Sequence, residues 1–221
     1  MKKKLLMITF LSACATGAMA QSKFDGLYGQ LGVGYEGISP YVTTSASYAG
    51  IGIPTSAAMS NSNSFVGTAT IGYSFTLTER FILGIGAEFS PFAGQKESIT
   101  YSVDGISAPG GTYNKKNSYN IFVSPGMAVG PDGVSYLKFG FTGMSANTSD
   151  ITTNYTGYSL GLGYKQFLPG SGFYGFAEFN YASYGNKTYS DSAIINGSLV
   201  TASIKSSANV TNVLVGLGYK F

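Results

Sequence analysis

Six ionisable residues, Glu36, Glu88, Lys138, Lys165, Glu178 and Lys220, lie in stretches where large apolar residues alternate with small or polar ones. Each falls on the small, polar phase. Three acids and three bases on one face can neutralise one another as buried ion pairs and plug the interior, or they can line a gated path for ions. Covalent catalysis is poorly supported. A serine nucleophile needs an adjacent base, and the 221-residue chain contains no His and one Cys, Cys14. Asp104 with Lys115, and Ser62 near Ser64, read as polar loop residues. No cluster has metal-ligand spacing. Gly32-x-Gly34 and Gly161-x-Gly163 sit in strand patterns with no helix behind them, which argues against nucleotide loops. Neither a cofactor nor an enzymatic activity is expected.

The elements that would position these charges follow from period-two alternation. In residues 65–77 the odd positions include Phe65, Ile71, Tyr73, Phe75 and Leu77, while the even ones are mainly Thr, Ser and Gly. Residues 81–90 and 213–221 repeat the pattern, and similar runs occupy 27–36, 119–129, 134–143, 156–167 and 173–184. These eight runs are each near or above the 9–11 residues that a tilted strand needs to cross a membrane. The connections alternate in length. Thr78-Glu79-Arg80, Gly130-Pro131-Asp132-Gly133 and residues 168–172 are short, whereas 37–64, 91–116, 145–155 and 185–211 are mostly long and polar. Short turns on one side and long loops on the other describe an all-β, eight-stranded antiparallel up-and-down transmembrane barrel. Asp104-Gly105 and Asn196-Gly197 are type I′ turn pairs, so strands three and four, and seven and eight, are expected to continue as ribbons above the membrane. Pro91 and Pro109-Gly110-Gly111 argue for a break or bulge in the first ribbon.

The N-terminus carries an export pattern. Lys2, Lys3 and Lys4 precede an apolar run at 5–11, and Ala18-Met19-Ala20 is a small-x-small cleavage pattern, so residues 1–20 are expected to be removed and the mature domain to span 21–221. A competing reading takes Leu11-Ser12-Ala13-Cys14 as a lipobox with Cys14 lipidated. Cleavage removes three of the 13 basic residues and leaves 10 against 10 acidic ones. That balance excludes the clustered cationic excess of a nucleic-acid binder. Charged residues are only 10% of the chain, yet Gly (31), Tyr (17) and Phe (15) abound.

Large apolar residues on one strand face and small polar ones on the other suit lipid outside and a narrow interior. Tyr28, Phe122, Tyr136, Tyr174 and Phe176 fall on the inner phase and are expected to fill it. Tyr73, Phe75, Phe81, Tyr164, Phe167, Phe173, Tyr219 and Phe221 gather next to the short turns as an aromatic girdle. The chain ends Gly216-Leu217-Gly218-Tyr219-Lys220-Phe221. Gly216, Tyr219 and the terminal Phe221 resemble the signal by which the barrel-assembly machinery recognises its clients, although Leu214 stands where that pattern prefers a polar residue.

Taken together, the region from 21 to 221 resembles the small outer-membrane β-barrel superfamily of the OmpA transmembrane domain, OmpX and the Ail-type adhesins, the porin-family outer-membrane barrel domain. The resemblance implies a monomer in the Gram-negative outer membrane, with periplasmic termini, extracellular loops and no peptidoglycan-binding domain after Phe221. It also implies paired lumenal charges that include Glu on strands three and seven. Glu88 and Glu178 hold those positions, with Lys138 and Lys165 as candidate partners. Barrel enzymes of the outer membrane resemble one another in using a catalytic His, which this chain lacks. The expected partners are outer-membrane lipid, the assembly machinery and an extracellular ligand or surface. The expected roles are surface interaction, adhesion or envelope structure, with a small-solute channel as the alternative.

Overall fold

A computed structural model describes residues 23–148 and 151–221. The expected cleavage site at Ala18 and Ala20, and Cys14, lie outside the described residues. Eleven strands are present among those described: β1 (Gly26–Tyr48), β2 (Ile51–Ile53), β3 (Thr55–Met59), β4 (Ser62–Thr76), β5 (Phe81–Ser90), β6 (Glu97–Val103), β7 (Ile106–Val129), β8 (Gly133–Thr148), β9 (Ile151–Phe167), β10 (Phe173–Ile195) and β11 (Ser198–Lys220). Eight of them, β1, β4, β5, β7, β8, β9, β10 and β11, form a closed antiparallel ring, because β7 pairs β8 and β11 pairs β1. Closure joins the first strand to the last, so the sheet has no terminal edge strand to face hydrocarbon.

The stagger of the ring can be followed residue by residue. Gln30 of β1 stands opposite Thr70, which stands opposite Glu88, and the path continues through Asn120, Thr142, Gly157, Tyr184 and Ala208. It returns to β1 at Pro40, ten residues beyond its start. Such a stagger over eight strands goes with a tilt of roughly 35–45°.

Side-chain direction follows the alternation. Phe65 is 83% exposed and Leu217 71%, on a wall of outward-facing Leu, Val, Ile and aromatic residues. The interior holds Tyr28, Phe122, Tyr136, Tyr174 and Phe176, all buried, as expected. Phe167 does not join the outer girdle. It shares the phase of Lys165 and points inward, packing on Phe24 and Tyr174 at centroid distances of 5.4 and 4.9 Å. Leu214 is also inward and fully buried, in one cluster with Tyr28, Tyr174 and Phe176.

A packing rule that the sequence did not reveal governs this interior. Five of its large rings have a glycine directly across the strand: Tyr28 and Gly72, Phe122 and Gly86, Tyr136 and Gly163, Tyr174 and Gly218, Phe176 and Gly216. A Cβ on Gly216 would stand 2.7 Å from the Phe176 ring, and one on Gly86 would stand 2.6 Å from the Phe122 ring. The ring lies over its neighbour's backbone, and only a residue without Cβ admits it.

The strands outrun the membrane. β10 and β11 have 23 residues each, against the 9–11 needed to cross; at about 3.3 Å per residue they reach ~75 Å along the strand. The expected hairpins at Asp104-Gly105 and Asn196-Gly197 are both formed, with φ of 50° and 80°, and 52° and 77°. Ala49-Gly50 makes a third tip between β1 and β2 with the same dihedral signature. The expected break near Pro91 occurs at the end of β5, and a bulge follows between Ser98 and Thr100.

That break opens the ladder locally. β4 is paired to β1 from Ser74 up to Ser62, but to β5 only as far as Ala69 opposite Phe89. Above that level the edges of β4 and β7 are bridged by residues 91–96. Gly94 N–H donates to the Lys115 carbonyl at 2.9 Å, and the Phe92 ring lies over Gly67. The hydroxyls of Ser62, Thr68 and Ser90 beside this seam are buried without a hydrogen-bond partner. Amides in 62–68 that point away from β1 should exchange at least about tenfold faster than the β5-paired amides of 69–76. Residue-resolved hydrogen exchange by NMR checks this, and uniform protection along β4 would refute it.

Candidate functional site: the barrel lumen

The central layer is built around one cation. Lys138 on β8 is 1% exposed; its Nζ donates to Glu88 Oε2 at 2.8 Å and Glu178 Oε2 at 3.0 Å, and lies 4.5 Å from the Phe122 centroid. Glu178 accepts three further bonds, from Tyr136 Oη at 2.6 Å, Asn180 Nδ2 at 3.2 Å and Gln30 Nε2 at 3.3 Å. Thr70 Oγ1 donates to Glu88 Oε2 at 3.3 Å, and Tyr174 Oη donates to Gln30 Oε1 at 3.1 Å. Six of the eight barrel strands contribute to this one network. A buried charge is tolerated when paired and hydrogen-bonded, and both conditions hold here.

Lys165 does not reach a carboxylate. The expectation that it shares the pairing with Glu88 and Glu178 is corrected: its Nζ sits over the rings of Tyr28 (3.9 Å), Tyr174 (5.1 Å) and Tyr136 (5.2 Å). Its place on β9 opposite Phe176 puts it nearer the turn end, where tyrosines replace acids. Lys220 lines the same turn-end space and makes no ion pair among the described residues. Below it the chain folds across the mouth, with Phe24 buried, Lys23 ion-paired to Asp132, and the Thr76 N–H donating to Asp25 Oδ1 at 3.1 Å.

A second ion pair lies toward the ribbon end. Lys115 Nζ donates to both Glu36 oxygens, at 2.6 and 2.7 Å, and both side chains are buried. Lys115, Ser62 and Ser64 are therefore not loop residues, since β4 and β7 begin earlier than the apolar alternation marks. Through 62–64 and 113–118 both phases are mainly polar, so period two leaves little hydropathy signal there.

These layers divide the lumen. A cavity of about 30 Å³ lies at the turn end and one of about 40 Å³ toward the ribbon end, the latter lined by Glu36, Glu88, Asn120, Thr142 and Tyr184 among others. Each holds two or three waters at most. Lys138, Glu178 and Gln30 line neither and stand between them. At the outer surface of the turn end, Tyr219 stacks edge-on with Phe173 at 4.8 Å and Phe221 at 5.1 Å, and the Phe221 N–H donates to the Leu27 carbonyl at 2.9 Å. Gly216 faces inward beneath Phe176, which gives it a packing role besides any place in an assembly signal.

A closed eight-stranded ring with an apolar outer wall and a charged, plugged interior defines a small transmembrane β-barrel. The chain belongs to the outer membrane protein beta-barrel domain family, which matches residues 6–221. Among solved structures it is similar to the outer membrane protein OprG from Pseudomonas aeruginosa, at 13% identity and a TM-score of 0.56 over 89% of this chain and 96% of that one. It is also similar to Neisserial surface protein A, at 16% identity and a TM-score of 0.41 over 89% of this chain and 97% of that one. The attachment invasion locus protein Ail of Yersinia pestis matches at 14% identity and a TM-score of 0.40, over 89% of this chain and 99% of that one. The likeness to OprG shows the fold. No curated protein matches the chain in sequence.

Proposed function

We propose that this is a non-enzymatic outer-membrane protein that holds rigid β-ribbons outside the cell for adhesion or other surface interaction, with its termini and short turns periplasmic. One observation carries the reading. The β1–β2, β6–β7 and β10–β11 ribbons rise well past a closed lumen and end in tips bearing exposed aliphatics, Ile51, Ile106 and Ile194, each more than 70% exposed. Ribbons bonded along their length lose little entropy on binding, which favours preorganised recognition. The absence of His argues against the base that a serine nucleophile would require. The runner-up, a small-solute channel, is disfavoured by the Lys138 layer between the two cavities.

Two measurements test this reading. A non-adherent bacterium displaying the protein should bind a cultured epithelial monolayer several-fold better than the empty strain. Ile51→Ser/Ile106→Ser/Ile194→Ser should lose that gain while keeping the heat-dependent gel mobility of a folded barrel. Planar bilayers containing the protein should show no steady conductance steps. Equal adhesion of all three strains, or regular open-channel steps, would overturn the proposal.

A further inference from the structure

The turn-end cavity has an unusual balance of donors and acceptors. It is lined by Lys165, Lys220, Tyr28, Ser74 and Ser124, none of whose side chains makes a hydrogen bond or ion pair among the described residues. Its remaining polar groups are committed elsewhere, the Tyr136 hydroxyl to Glu178 and the Tyr174 hydroxyl to Gln30. Among the described residues no Asp or Glu lines it. The nearby acids are occupied as well: Glu178 accepts four donors, Asp25 takes the Thr76 amide, and Asp132 pairs with Lys23. Among the described residues the interior lysines Lys115 and Lys138 are ion-paired to Glu36, Glu88 and Glu178, and the two without an ion pair, Lys165 and Lys220, both lie at this end.

We propose that this cavity is a binding site for one halide-sized anion, held between Lys165 and Lys220 with hydroxyl donation from Tyr28, Ser74 and Ser124. Two spare ammonium groups and three spare hydroxyls around a space with no acid meet the requirement that a buried charge be paired. The Tyr28, Tyr136 and Tyr174 rings hold Lys165 by their faces, a cation–π contact that fixes the ammonium without supplying an anion. Size sets the class of ligand. About 30 Å³, the room of two or three waters, suits a monatomic anion and is too small for a sugar acid.

The refolded barrel in zwitterionic detergent provides the test. Its Tm in sodium bromide should exceed that in sodium gluconate of equal ionic strength by about 3 °C, because a ligand that binds only the folded state stabilises it. Lys165→Met should abolish the difference, and Lys220→Met or Tyr28→Phe should reduce it. Crystals grown in bromide should show an anomalous peak between the two lysines. If Lys165→Met does not fold, Lys220→Met and the anomalous map still decide the matter. The proposal fails if wild type and the lysine variants respond alike to the two salts, if sulfate stabilises as well as bromide, or if the cavity shows no peak.

Discussion

Replacing Lys138 with Met should destabilise the barrel by about 3–5 kcal/mol, the cost of breaking a buried ion pair by removing one partner. The two glutamates it bridges, at 2.8 and 3.0 Å, are then left with one another and no cation. Glu178→Gln should cost nearly as much, since Glu178 is the more enclosed acid and four donors converge on it. Glu88→Gln should cost less, because Glu88 is the more exposed of the two and has fewer partners. The triple change Glu88→Gln/Lys138→Met/Glu178→Gln should recover most of the loss, as removing a whole ionic group leaves no charge stranded. Urea unfolding in lipid vesicles across this set reads the coupling. Strictly additive losses would show that the charges are solvated independently and that the lumen is wet.

Gly163→Ala should cost about 1–3 kcal/mol, the usual range for overpacking a filled core. Its new Cβ would lie 2.5 Å from Tyr136 Oη and 2.9 Å from Cε2, and the three atoms nearest to it all belong to that one side chain. Displacing the ring also pulls its hydroxyl from Glu178. The double change Gly163→Ala/Tyr136→Leu should therefore fall short of the summed single losses, because the smaller side chain vacates the space the methyl enters. Simple addition of the two penalties would mean that the ring and the glycine are not packed as a unit.

Much of the architecture was legible in the chain. Alternation between large apolar and small polar residues identified all eight ring strands, and the Asp-Gly and Asn-Gly pairs marked two hairpin tips. Both signals are local, since side-chain direction alternates with period two whatever the partner strand, and a type I′ turn needs positive φ at two adjacent residues. Strand length was the main shortfall. β1 runs on to Tyr48 and β10 to Ile195, but beyond the bilayer both faces of a ribbon meet water and the hydropathy contrast disappears. The Ala49-Gly50 tip was missed for a related reason, as Ala is an uncommon residue at φ of 52°.

The sequence by itself determined the class of protein, the inward phase of Glu36, Glu88, Lys138, Lys165, Glu178 and Lys220, and the lipid-facing wall. Each depends only on position along a strand. The tertiary structure decided which charges meet. The ten-residue stagger around the ring brings Lys138 between Glu88 and Glu178 and Lys115 onto Glu36, while leaving Lys165 among tyrosines. It also placed a glycine opposite Tyr28, Phe122, Tyr136, Tyr174 and Phe176. Cross-barrel contacts depend on the summed register of eight hydrogen-bonded ladders, and a shift of two residues in any one of them keeps every side chain on its face while changing its partner.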